Sequence, residues 1–192
     1  MTMDELRNKI LESAEVLPGG VLKVDSFLNH QIDVKLVDKM AKEWYERFKE
    51  EKITKILTIE SAGIALSTMV ATYFGVPVVY AKKSRNASFG NDYYSTHVIS
   101  YTHGQAYDVY ISKKVLDKND RVLLVDDFLA NGSAMKILIH LAEASGAKVA
   151  GAAVAIEKSY LGGGKDIRSI GYRLESLVKI KELGHGKIIF ED

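Results

Sequence analysis

The stretch Val122-Leu123-Leu124-Val125-Asp126-Asp127-Phe128-Leu129-Ala130-Asn131-Gly132-Ser133-Ala134 decides the fold and points to the chemistry. Four apolar residues, Val122 to Val125, read as a buried strand. Two adjacent acids stand at its end, and a bend of small residues opens a helix expected over Ser133 to Ser145 and closed by Gly146. Small residues let the backbone turn tightly, so several N–H groups converge on one point. The helix N-terminus adds roughly half a positive charge there. The result is an anion cradle built without a lysine, to which Ser133 can add a hydroxyl donor. Adjacent carboxylates at a strand end repel each other and lose hydration, so Asp126 and Asp127 require a cation or hydroxyl donors. A sugar diol beside a phosphate supplies the donors. A Mg²⁺ carried by a diphosphate supplies the cation, since Mg²⁺ takes oxygen ligands and substrate phosphates. An acid pair alone is better explained as a solvated corner between strand and helix. The whole thirteen-residue pattern tips the balance to a sugar-phosphate site.

On the N-terminal side, Asp33 caps a long helix whose Val37, Met40, Ala41, Trp44 and Phe48 form one apolar stripe. Ile53 to Ile59 reads as a buried strand, Ile64 to Phe74 as a helix stopped by Gly75, and Val76 to Ala81 as the next strand. Asp4 to Glu15 reads as a short helix before the Pro18-Gly19-Gly20 break, and Val21 to Gln31, which has no clean period, as an irregular lobe. The polar run Ser84 to Tyr94, with Asn86, Gly90 and Asn91, is longer than an ordinary connection and suggests a functional flap. Thr96 to Tyr101 and Ala106 to Ser112 alternate around Thr102-His103-Gly104-Gln105 as a hairpin. Val149 to Ile156 is a third buried strand. Strands alternating with helices predict an α/β fold, a mainly parallel sheet flanked by helices, as one domain over residues 1–192. Ligands gather at the carboxyl ends of such strands, here after Ile59, Val125 and Ile156.

Composition narrows the function classes. The 192 residues are 47% hydrophobic and 27% charged with a net charge of only +1, so neither a nucleic-acid groove nor a polybasic membrane patch is expected. The absence of cysteine excludes disulfides, thiolate metal sites and a cysteine nucleophile, and fits a reducing cytoplasm. Near the start, Asp4, Glu5, Arg7 and Lys9 replace an apolar signal segment, and no run of about 18 apolar residues exists to span a bilayer. The five histidines lack metal-binding spacing, so no protein-ligated zinc is expected.

The thirteen-residue stretch resembles the motif by which type I phosphoribosyltransferases bind phosphoribosyl diphosphate (PRPP). The resemblance implies that Asp126 and Asp127 hold the ribose hydroxyls as the catalytic pair, that Ala130, Asn131, Gly132, Ser133 and Ala134 take the 5′-phosphate, and that Mg²⁺ arrives with PRPP. Asn131 and Ala134 stand where threonines are usual, which shifts phosphate binding onto backbone amides, Ser133 and Asn131. Glu60-Ser61-Ala62-Gly63-Ile64 resembles the family's pyrophosphate-binding turn and places Ser61, Ala62 and Gly63 against the diphosphate. By itself, a plain connection explains it equally well. Lys82, Lys83 and Arg85 open the long polar loop. Most charge runs are solvated faces, but in the family a mobile loop here closes over the diphosphate and excludes water, which counts Lys83 among the PRPP-binding residues and draws in Tyr93 and Tyr94.

Leu22 to Asp33 is similar to the N-terminal hood of bacterial xanthine phosphoribosyltransferases, as are Asp126 to Gly132 and Ile156-Glu157-Lys158-Ser159, and the similarity covers nearly the whole chain. It implies a hood over about residues 16–33, a base pocket of Leu22, Asn29 and Lys158 with Phe128 stacking on the ring, a cytoplasmic role in purine salvage, and a homodimer. The chemistry agrees. Xanthine offers two carbonyls and is partly anionic near neutral pH, which suits a lysine; an amide can donate and accept along one purine edge; base–aromatic stacking contributes about 1–3 kcal/mol in nucleic-acid systems. Two alternatives stand beside it. The same transfer to guanine or hypoxanthine differs by a few hydrogen bonds. A non-catalytic PRPP-binding regulator would share the fold, although the residues before the first core strand carry no basic recognition helix. Gly162-Gly163-Gly164-Lys165 resembles a nucleotide P-loop only loosely, because Asp166 follows the lysine and Ser159 occupies the first glycine position; a flexible surface turn is expected.

Overall fold

The computed structural model describes residues 3–84, 92–99, 106–184 and 186–191. In chain order the elements are α1 (Asp4–Ser13), β1 (Glu15–Leu17), β2 (Val21–Lys23), α2 (Val34–Phe48), β3 (Lys55–Ile59), α3 (Ala62–Phe74), β4 (Val78–Ala81), β5 (Tyr93–Ile99), β6 (Ala106–Ser112), β7 (Arg121–Leu129), α4 (Ser133–Ser145), β8 (Lys148–Lys158), α5 (Gly163–Ser169), β9 (Leu174–Gly184) and β10 (Lys187–Glu191). The central sheet runs β10-β9-β8-β7-β3-β4, parallel throughout except for β10. Side chains alternate across it. Ile56 and Leu123 join an apolar cluster with α2 and α3, while Leu57 and Leu124 join one with α4. The expected α/β layering is present.

Asp33 caps α2 by accepting from Leu36 N at 3.2 Å, and the whole stripe Val37, Met40, Ala41, Trp44 and Phe48 is buried. Trp44 is completely buried in this layer. Trp44→Ala is therefore expected to cost about 3–5 kcal/mol, read as a lower urea midpoint by far-UV circular dichroism.

Several sequence expectations change. The strand expected to stop at Val125 continues to Leu129, because β8 keeps pairing with it: Asp126 lies opposite Val154, Phe128 opposite Ile156 and Leu129 opposite Glu157. The acids thus lie within β7. The supposedly irregular lobe is ordered: β1 and β2 form a hairpin with Val16 opposite Leu22, and a π-helical turn over Asp25–Asn29 buries Phe27 and Leu28. Tyr93 and Tyr94 do not extend a flap. They begin β5, pairing with Ser112 and Ile111 of β6, and the hairpin docks on the end of β4 through paired Lys82 and Tyr110 backbone hydrogen bonds. Arg85, Asn86, Gly90 and Asn91 of the proposed flap, and the turn Thr102-His103-Gly104-Gln105, lie outside the described residues. The turn expected at Gly162 to Lys165 is instead the start of α5, with Gly163 and Gly164 buried. Among the described residues no helix is long and apolar enough to cross a membrane.

Candidate active site

Where β7 gives way to α4, the chain bends through Gly132, whose φ of 80° is a left-handed conformation that favours glycine. The Asn131 side chain braces this bend. Its Oδ1 accepts from Ser133 N at 3.1 Å and from Ser133 Oγ at 2.8 Å. Ser133, expected as a free hydroxyl donor, is here engaged with Asn131. The bend lines a cleft of about 260 Å³ that also touches Ile59 and Lys83. Ala130, Asn131, Gly132, Ser133 and Ala134 all face it together with Phe128. Because Asn131 fixes Ser133 at the start of α4, Asn131→Ala is expected to destabilise the chain by about 1 kcal/mol, read as a lower urea midpoint.

Directly before the bend, Asp126 is buried and accepts from Asp127 N at 3.0 Å, while half-buried Asp127 accepts from Phe128 N at 2.9 Å. Burial pushes the Asp126 carboxyl well above the ordinary carboxylate range, and the charge of Asp127 beside it adds to the rise.

The second turn packs against this pair. The Glu60–Ser61 peptide is cis, Ser61 is exposed at the N-terminus of α3, Ala62 is half-buried and Gly63 is buried. A Cβ on Gly63 would lie 2.1 Å from Thr58 Oγ1 and 3.4 Å from Asp126 Oδ1, so only a glycine lets the turn lie this close to Thr58 of β3, beside Asp126. Glu60 Oε1 accepts from Lys83 N at 2.5 Å, which ties the end of β4 to the same turn. The structure therefore brings Ser61, Ala62, Gly63, Lys83, Asp126, Asp127 and the 130–134 bend to the carboxyl ends of β3, β4 and β7.

Across β8, half-buried Lys158 donates from Nζ to the Gly20 carbonyl at 2.9 Å and lies 5.7 Å from the Phe128 ring centroid. Burial lowers its pKa below the ordinary lysine value. Lys158 and Phe128 thus meet beneath the β1–β2 turn. Leu22 is buried in the apolar cluster against which Phe128 packs. Asn29 sits exposed at the end of the π-helical turn, and no hydrogen bond joins it to Lys158 among the described residues.

Two features escaped the sequence reading. Gly20 holds Lys158, a contact across 138 residues that no local pattern announces. Glu157, buried behind Lys158, takes a two-point hydrogen bond from Arg168 at 2.9 and 2.8 Å and another from Ser176 Oγ. Its burial pushes the carboxyl up, but Arg168 and Ser176 outweigh that and hold it below its ordinary value. The signal available was an acid inside an otherwise apolar strand. A larger hollow of about 670 Å³ opens between α5 and β9, with Arg168 and Lys179 on its wall. Those two are paired to Glu157 and Glu191, and no sequence-predicted site residue lines it.

Residues 23–181 match the phosphoribosyl transferase domain family. The xanthine phosphoribosyltransferase of Bifidobacterium animalis subsp. lactis is 50% identical over 182 residues, 94% of each chain. That of Finegoldia magna is 46% identical over 99% of this chain and 100% of its own. Among solved structures, adenine phosphoribosyltransferase from Thermoanaerobacter pseudethanolicus superposes with a TM-score of 0.74 at 22% identity, covering 93% of this chain and 99% of that one. The enzyme from Giardia lamblia, complexed with 9-deazaadenine, gives 0.75 at 24% identity over 95% and 99%. At such identities these two establish the fold alone, the type I phosphoribosyltransferase fold. Similar along nearly its whole length to relatives at 46–50% identity, the chain belongs to the phosphoribosyltransferase family and, within it, stands with the xanthine phosphoribosyltransferases.

Proposed function

We propose that this chain transfers the phosphoribosyl group of PRPP to a ring nitrogen of xanthine, forming xanthosine 5′-monophosphate and diphosphate in purine salvage. The observation that carries the reading is the acid pair of buried Asp126 and half-buried Asp127 standing between two small-residue turns, one continuing its own strand and one packed against its side. PRPP has that layout, with ribose hydroxyls between a 5′-phosphate and a diphosphate. The 130–134 bend would hold the phosphate with backbone amides, and Ser61 to Gly63 with Lys83 would hold the diphosphate. As the C1–O bond loosens, the sugar becomes cation-like, and the fixed charges of Asp126 and Asp127 stabilise it without a covalent nucleophile.

Among the described residues no three His, Cys, Asp or Glu side chains gather into a cation cage. Mg²⁺ would be carried by the substrate's own phosphate oxygens, with the carboxylates Asp126 and Asp127 as counter-charge, all-oxygen surroundings that fit this ion. When bound, the ion neutralises charge developing on the departing diphosphate.

For the base, Lys158 already donates to a carbonyl oxygen beside the Phe128 ring. A purine carbonyl can take the place of Gly20, with Phe128 against the ring, Leu22 behind it and Asn29 closing from the hood of residues 16–33. An exocyclic amine, as in adenine, would set donor against donor. Guanine and hypoxanthine share a carbonyl with xanthine, and selection among the three rests on fewer hydrogen bonds. We place this enzyme in the cytoplasm as a homodimer, with residues 1–192 acting as one catalytic domain.

Incubating the chain with PRPP, Mg²⁺ and each of xanthine, guanine, hypoxanthine and adenine tests the reading. Xanthine should give the highest kcat/KM and adenine the lowest. PRPP binding with no purine consumed would favour the regulator, and a higher kcat/KM on guanine or hypoxanthine would reassign the base.

A further inference from the structure

The bend that faces the cleft has a second side, and α5 stands against it. The Gly163 N–H donates to the Ala130 carbonyl at 3.1 Å. A Cβ on Gly163 would fall 2.3 Å from that oxygen, 2.4 Å from Gly132 N and 2.5 Å from the Asn131 carbonyl carbon. All three are backbone atoms, which cannot swing aside as a side chain does. Conversely, a Cβ on Gly132 would lie 3.4 Å from Gly163 Cα. One residue further, a Cβ on Gly164 would lie 1.8 Å from Oε1 of the buried Glu157, which is paired to half-buried Arg168. Lys136 of α4 and Asp166 of α5 add an exposed tie at 2.8 Å.

We infer that Gly163 is a positioning residue for the 5′-phosphate site: it forms the back wall that holds residues 130–132 in the one bend whose amides converge on the phosphate, while Gly164 lets α5 seat against Glu157. A run of small residues around a glycine has many accessible conformations when unsupported. Backbone packed on backbone removes that freedom, and a side chain on α5 would force the bend toward the cleft. Electrostatic binding by fixed amides depends on such preorganisation. The Glu157–Arg168 pair seats Gly164 from the other side, linking the wall to the strand that carries Lys158.

The inference rests on the phosphoribosyltransferase reading, and one set of measurements separates the two. Gly163→Ala should raise the PRPP KM and the Kd of ribose 5-phosphate about tenfold or more, with xanthine KM within about twofold. Gly171→Ala is the control, since Gly171 has φ of 93° and a Cβ there would meet nothing within 4 Å, the bend included. It should lower stability while leaving both KM values unchanged. A general loss of folded protein would lower kcat without this split between substrates. If Gly163→Ala does not fold, Asp166→Asn, which removes only the charge from the exposed tie to Lys136, should still raise the PRPP KM about two- to threefold with xanthine KM unchanged. Wild-type binding of ribose 5-phosphate retained in folded Gly163→Ala, an equal rise in both KM values, or an unchanged PRPP KM in Asp166→Asn when that arm is needed, would each overturn the inference alone. A wild-type chain that bound no ribose 5-phosphate would overturn the functional reading and this inference with it.

Discussion

Asp126→Asn combined with Asp127→Asn is expected to lower kcat/KM for PRPP by about a thousandfold or more, the scale of losing fixed electrostatic stabilisation in a water-poor site. The amides keep the shape of the carboxylates but not their charge, so the cation-like sugar loses its counter-charge while both phosphate turns remain. The same substitutions carry an opposite signature in stability. Burial raises the Asp126 pKa in the folded chain, so between the unfolded carboxylate value of about 4 and that raised value the folded state binds more protons than the unfolded one. Stability then falls as pH rises through this window. Asp126→Asn removes the cost of burying a charge, and the single variant is expected to melt a few degrees higher than wild type at pH 7–8, at roughly 2–4 °C per kcal/mol for a chain of this size. The gain should vanish below about pH 4, where Asp126 is neutral in both states. Differential scanning calorimetry across pH, beside a turnover assay, tests both halves. A variant less stable at pH 8 and equally active would contradict the assignment.

Lys158→Met should reduce kcat/KM for xanthine by about a hundredfold, because truncating a partly buried, hydrogen-bonded charge typically costs about 2–5 kcal/mol. Adenine offers this lysine no carbonyl, so its already low rate should fall less than that on xanthine and the preference among bases should narrow. Part of the loss will come through the hood, since Lys158 is also the donor to Gly20. Rates on all four purines separate the two roles. A drop larger on carbonyl-bearing purines than on adenine supports base recognition, whereas an equal drop on every purine would leave Lys158 as a hood anchor only.

The parts legible in the sequence were those set by local periodicity. The α2 stripe, the Gly75 and Gly146 helix ends and the Val122–Val125 run all declare themselves within a few turns of chain. The rest depends on partners far away in sequence. β7 runs through two residues with poor strand propensity because β8 supplies the ladder beside them. β9 hides Leu177, Val178 and Ile180 among lysines and glutamates, and its burial comes from pairing with β8. Three consecutive glycines read as a loose turn, yet Gly163 and Gly164 are small because the 130–132 backbone and Glu157 occupy the space around them. The acid pair and both turns could be found by pattern. The Gly20–Lys158 contact and the α5 wall required the fold.

The most direct test of the central claim is a crystal structure of the chain with xanthosine 5′-monophosphate. The phosphate is expected within hydrogen-bonding distance of backbone N–H groups in residues 130–134, the ribose hydroxyls on Asp126 and Asp127, and the base between Phe128 and Lys158. A phosphate bound at any other place, with the 130–134 bend empty, would contradict that claim.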